Sequence, residues 1–141
     1  MAATVRVHCL EIDSVEPEAL AWFWSAALEC PIDAGASGPW IALGDPNQPQ
    51  VIMFRHARAP KTAPNRLRLY LTPARGRVAE EVDRLTELGA RVIAWRNQGA
   101  VLESVMMADP EGNEFYVTPS DATVDLLHAR MRQQHSSAAE Q

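Results

Sequence analysis

Several side chains able to do chemistry fall on shared strand faces. In Val5-Arg6-Val7-His8-Cys9-Leu10-Glu11-Ile12 apolar and polar residues largely alternate. That pattern, with its Val and Ile enrichment, predicts a strand. Period-two geometry puts Leu10 and Ile12 on one face and Cys9, Glu11 and Asp13 on the other. In Arg66–Leu71, Leu67, Leu69 and Leu71 take one face, and Arg68 and Tyr70 the other. A carboxylate such as Glu11 or Asp13 can move a proton where its surroundings raise its pKa. The Arg68 guanidinium suits a planar carboxylate, phosphate or enolate. Tyr70 adds a stacking surface that ends in a hydroxyl. Cys9 and Cys30 lie far apart with no C-x-x-C spacing, so two reduced, buried thiols are expected and no disulfide. His8, His56, His128 and His135 are expected to be packed or solvated, not to be ligands.

The elements that must position these residues follow from periodicity and turn signals. Leu20, Phe23, Trp24, Ala27 and Leu28 recur at i, i+3, i+4, i+7 and i+8, which predicts an amphipathic helix over Glu16–Glu29. Asp13 or Ser14 is the expected cap, Pro17 suits the first turn, and Pro31 ends the helix. Trp40–Leu43 and Val51–Phe54 read as short antiparallel strands between glycine- and proline-rich turns. After the strand Arg66–Leu71, Thr72-Pro73 is expected to open a helix with Val78, Val82, Leu85 and Leu88 on one face. Gly89 is its natural stop. Arg91–Trp95, Val101–Met107 and Glu114–Thr118 read as strands, and Asp109–Asn113 as a structural turn. The order is β-α-β-β-β, twice, with equivalent helix ends at Leu28 and Leu88. Such a repeat predicts duplicated modules about a pseudo-twofold axis. A further helix with Val124, Leu127 and Met131 on one face is expected over 120–134, then a polar tail.

With these elements placed, the chain resembles the vicinal oxygen chelate superfamily of glyoxalases, bleomycin-resistance proteins and extradiol dioxygenases. The resemblance is carried by the two β-α-β-β-β modules, the helix segment Phe23-Trp24-Ser25-Ala26-Ala27-Leu28 and the turn Asp109-Pro110-Glu111-Gly112-Asn113-Glu114-Phe115. The stretch Lys61-Thr62-Ala63-Pro64-Asn65-Arg66-Leu67-Arg68-Leu69-Tyr70-Leu71 narrows it to the glyoxalase-like domain branch. The resemblance implies an α+β fold in which tandem βαβββ modules form an eight-stranded curled sheet around a cleft, usually in a homodimer. It implies a domain over 1–119, with modules at about 4–56 and 65–119, followed by a C-terminal helix and tail over 120–141.

In metal-using members, side chains of the first, fifth and eighth strands reach a divalent ion. The resemblance sets Cys9, Arg68 and Tyr116 at those positions, with Glu114 on the same face as Tyr116. Arginine has no lone pair to donate and stays charged, so this set predicts no metal site and no cofactor. The resemblance instead implies a small-molecule pocket. Cys9, Trp40, Phe54, Arg68, Tyr70, Met106 and Tyr116 are its expected lining. Arg96 and Glu103 have no reading beyond surface charge.

Two functions are weighed. The first is bleomycin-resistance-like binding or sequestration of a small planar or anionic organic molecule. The second is a metal-independent isomerase, cyclase or hydratase. There Arg68 would stabilise an oxyanion, Glu11 or Asp13 would act as acid or base, and Tyr70 would assist. A metal-dependent lyase or dioxygenase ranks third. Against all of them stands Arg68 neutralised by Glu11 or Asp13 as an internal ion pair. The chain has 141 residues and a net charge of -5, which argues for one domain and against a nucleic-acid surface. No apolar run approaches bilayer length, and no signal region leads the chain. A cytoplasmic protein without nucleic-acid or membrane partners is therefore expected.

Overall fold

A computed structural model describes residues 4–33, 39–45, 52–99 and 101–120, with isolated positions 129, 132 and 133. The C-terminal helix expected over 120–134 lies outside these continuous stretches. Among the described residues, seven strands and two helices follow in the order β1 (Leu10–Ser14), α1 (Pro17–Leu28), β2 (Trp40–Ala42), β3 (Ile52–His56), β4 (Tyr70–Leu71), α2 (Val78–Glu87), β5 (Arg91–Gln98), β6 (Val101–Ala108) and β7 (Glu114–Val117).

The repeat is visible in the pairing. One sheet has the order β1-β3-β2 and the other β4-β7-β6-β5. In each, the first strand lies parallel to the last, and the last lies antiparallel to its predecessor. The eight strands expected are seven among the described residues. Beside β2, where the second sheet has a full strand, the first has a single bridge, Ile32 to Leu43. Short backbone hydrogen bonds extend it, Asp33 N to Ala42 O and Gly44 N to Pro31 O, each 2.8 Å.

Three elements differ from expectation. The first strand begins at Leu10 instead of Val5. Its register sets Leu10 beside Ile52, the first described residue of β3. The strand expected over Arg66–Leu71 is reduced to Tyr70–Leu71. There the Glu114 carboxylate, not a continued ladder, takes the Asn65 amide, at 2.8 Å. The second helix starts at Val78, not at Thr72-Pro73. Gly76 sits at φ +77°, a left-handed turn that breaks helical continuity, and the Glu80 carboxylate then accepts the Arg77 amide at 3.2 Å.

The core lies where the helices meet the inner sheet faces. Leu20, Phe23 and Trp24 of α1 pack with Ile52 and Phe54 of β3 and with Val105, Phe115 and Val117 of β6 and β7. Val82 and Leu85 of α2 join the same cluster, so the two modules share one interior. Arg84 ties the helices together. Its guanidinium donates to the carbonyls of Ala26 (3.1 Å) and Ala27 (2.7 Å) at the end of α1, and to Glu81. The hydrogen bonds that Arg84 donates to Glu81 raise the Arg84 pKa. No described helix is long and apolar enough to cross a membrane.

Candidate functional site

Alternation along β4, β6 and β7 leaves one sheet face to the core and turns the other outward. Val105, Met107, Phe115 and Val117 are buried against the helices. Tyr70, Tyr116 and Met106 are successive register partners across the ladder, so they share the opposite face. The Tyr70 and Tyr116 rings stack at 4.6 Å with an interplanar angle of 21°. Tyr116 is buried, whereas Tyr70 remains 65% exposed. The Arg96 guanidinium lies 5.3 Å from the Tyr116 ring centroid, within cation–π range. Arg96 is therefore more than surface charge. It falls one residue past the strand that the sequence suggested, in an element that runs on to Gln98.

Arg68, two residues before Tyr70, is half-buried. Its buried Nε has no hydrogen-bond partner, and Arg68 enters no ion pair among the described residues. The internal neutralisation weighed from sequence is thus absent among the described residues. Glu11 is held by Arg55 instead, through Nε–Oε1 at 2.9 Å and Nη2–Oε2 at 3.0 Å. The Glu11 hydrogen bond and charge raise the Arg55 pKa. Asp13 and Trp40 are both register partners of Arg55, so these residues form a second group, on the outer face of the first sheet. The carboxylates are exposed and Trp40 is half-buried.

The remaining expected residues divide. Met106 and Cys9 are half-buried, and so is Cys30, where a buried thiol was expected. Phe54 is fully buried in the core. It cannot line a cleft, because it stands beside Ile12 and Ile41 on the helix-facing side of β3. The residues brought together are therefore Tyr70, Tyr116, Met106 and Arg96 on one sheet, and Glu11, Asp13, Arg55 and Trp40 on the other. Arg55 and Arg96 were missed because a charged residue at a strand end reads as solvated until its cross-strand neighbour is known.

Glu114, two residues before Tyr116, is also committed. Its side chain is 12% exposed and accepts from Lys61 Nζ (2.9 Å) and the Asn65 amide. Burial works against its charge, but the Asn65 amide and the Lys61 ammonium outweigh this and hold its pKa below the usual range. Among the described residues no three His, Cys, Asp or Glu side chains gather where they can share a metal ion. Cys9, Arg68 and Tyr116 supply one thiol, one obligate cation and one phenol, a donor set that does not fit a divalent ion.

The turn expected to be structural is so. Asp109 is buried, and its carboxylate accepts from the Glu111 and Asn113 amides, the Asn113 side chain and Trp24 Nε1. Burial still pushes its pKa up. Glu111 accepts from the Ser14 hydroxyl and from the amides of Val15 (2.8 Å) and Glu16 (3.4 Å). The cap of α1 is thus neither Asp13 nor Ser14. Both are used in β1, and a carboxylate from the other module serves the helix start.

Comparison with known proteins agrees with this architecture. The family model of the glyoxalase-like domain matches residues 9–118. No curated protein matches the chain. Among solved structures, a glyoxalase/bleomycin resistance protein/dioxygenase family enzyme from Burkholderia phytofirmans PsJN is 19% identical, with a TM-score of 0.59 over 79% of this chain and 96% of that one. The antibiotic binding protein TnmS3 from Streptomyces sp. CB03234 is 20% identical, with a TM-score of 0.56 over 86% and 100%. The trypanothione-dependent glyoxalase I of Leishmania major is 12% identical, with a TM-score of 0.61 over 94% and 99%. At these identities the likeness concerns the fold, and the family match over most of the chain supplies the assignment: this chain belongs to the glyoxalase-like domain family, within the vicinal oxygen chelate superfamily.

Proposed function

We propose that the protein binds a small planar organic molecule carrying an anionic group, with Arg68 as its charge partner and no divalent metal in that role. The observation that carries this reading is Arg68, a half-buried guanidinium without an ion pair among the described residues. Removing a cation from water is unfavourable unless an anion or several acceptors compensate. Tyr70 supports the same reading. Its ring is held in place by Tyr116 beneath it, so a flat ligand meets a preorganised surface. Met106 and Arg96 border that surface, and Cys9 and Trp40 are the proposed contributions of the first module. The fold shared with an antibiotic binding protein is in keeping with sequestration.

The metal-independent isomerase, cyclase or hydratase reading is less well supported. Its candidate acid or base Glu11 is tied to Arg55 by two hydrogen bonds. Together with a homodimeric, cytoplasmic state, the modules at about 4–56 and 65–119 are proposals resting on the family resemblance.

The test is calorimetric titration with 2-naphthoate, using its neutral methyl ester, which has no N–H or O–H donor, as control. Saturable binding of the acid, weaker binding of the ester and loss of about tenfold or more in Arg68→Ala are expected. Equal affinity for acid and ester, or an Arg68→Ala protein that binds as well as wild type, would sink the reading.

A further inference from the structure

A cavity of about 330 Å³ opens between β1 and the chain at 65–69. β1 and β4 are end strands of their sheets, so no ladder closes this gap. The floor is aromatic, with Trp24 and Phe115 edge-to-face at 5.2 Å. Leu10, Ile12 and Leu69 form apolar walls, and Glu11, Arg66, Asn113 and Glu114 add polar lining. Leu67 stands at the mouth and is 67% exposed. None of Arg68, Tyr70, Met106 or Tyr116 lines this space. The cavity is thus separate from the surface around Arg68.

Protein interiors hold few voids larger than a water molecule. An apolar cavity of about 150 Å³ stays dry and takes up benzene; this one has roughly twice that volume. Its floor is also rigid, because the Trp24 indole N–H is already fixed by Asp109 at 3.0 Å. One polar group in the lining stands out. Asn65 contributes to the wall, and its buried Oδ1 has no hydrogen-bond partner. A buried acceptor left without a donor is unfavourable. The loop carrying it is anchored, since Glu114 holds both the Asn65 amide and Lys61.

We propose that this cavity is a binding site for a two-ring aromatic molecule bearing one N–H or O–H donor, the rings lying against Trp24 and Phe115 and the donor reaching Asn65. Volume and floor set the ring system, and the orphan acceptor sets the donor. The site does not depend on Arg68 and takes neutral ligands.

Indole is the simplest probe, and 1-methylindole is the control that lacks the donor. Titration of the full chain by calorimetry is expected to give one saturable indole site, with 1-methylindole bound about tenfold more weakly. Asn65→Ala should remove that discrimination. Leu67→Trp, a change at an exposed position, should plug the mouth and lower indole affinity by about tenfold or more. Arg68→Ala should leave indole binding unchanged while lowering 2-naphthoate affinity by about tenfold or more, so the two sites fail separately. Circular dichroism and thermal melts check that each variant is folded. The proposal is overturned if indole shows no saturable binding up to its solubility limit. It is equally overturned if indole and 1-methylindole bind alike, or if Leu67→Trp binds indole as wild type does.

Discussion

Trp24 of α1 donates its indole N–H to the buried carboxylate of Asp109 at 3.0 Å, joining residues 85 positions apart in sequence. The acceptor belongs to the turn before β7, and the donor sits in the middle of the first helix. The same turn sends Glu111 to the start of that helix, where it accepts from Val15 and Glu16. Two carboxylates of one short turn therefore hold the first module's helix against the second module's sheet.

Trp24→Phe keeps most of the aromatic volume and removes the donor. Asp109 then loses a partner while staying buried. The expected loss of stability is about 1.5–3 kcal/mol, as for a hydrogen bond to a charged group, read from the midpoint of urea unfolding. A variant as stable as wild type would show that the indole bond is not needed.

Glu111→Ala leaves the Val15 and Glu16 amides, just before α1, without their side-chain acceptor. Helix-start caps contribute about 1 kcal/mol. Hydrogen exchange at Val15 and Glu16 should accelerate, while amides in the β5–β6 ladder stay protected. Uniform acceleration across the chain would argue for global destabilisation instead of a loosened helix start.

Glu114 titrates below the usual carboxylate range. A group with a depressed folded pKa contributes stability that is full above its unfolded pKa and is lost as pH falls through the folded value. Acid unfolding of the wild type should therefore include a step below the ordinary glutamate range. Glu114→Gln should be less stable at neutral pH and should lose that part of the pH dependence. Asp109 acts in the opposite sense. Its pKa is raised by burial, so its charged form opposes folding above that value, and the penalty is relieved as pH falls through it. Thermal melts of both proteins between neutral and acid pH separate the two contributions.

Tyr70→Ala tests the stacking surface. Aromatic pairs contribute about 0.5–1.5 kcal/mol beyond area burial, so 2-naphthoate affinity should fall by roughly twofold to tenfold. Tyr70→Phe should retain it. Unchanged binding in Tyr70→Ala would place the ligand elsewhere.

Arg55→Ala frees Glu11. The pair is half exposed, with side chains 50% and 38% accessible, and such pairs contribute little to stability. The melting temperature should hardly move. If Glu11 were the acid or base of a metal-independent reaction, freeing it would change activity strongly with pH. A flat response supports the binding reading.

Sequence by itself determined the local helix and turn patterns of this protein. The helix stripe of Leu20, Phe23, Trp24 and Ala27, the glycine stop at Gly89 and the turn at Asp109–Asn113 are local patterns, and local patterns survive into the fold. Tertiary structure alone decided how the charges pair. Glu11 goes to Arg55, Arg96 goes to Tyr116, and Arg68 is left without an ion pair among the described residues. It also decided that Phe54 belongs to the core and that a cavity lies behind Leu67 and Leu69. These outcomes depend on strand register and on how the two sheets meet. A shift of one residue turns a side chain to the other face, and the relation between the sheets is set by contacts that span most of the chain.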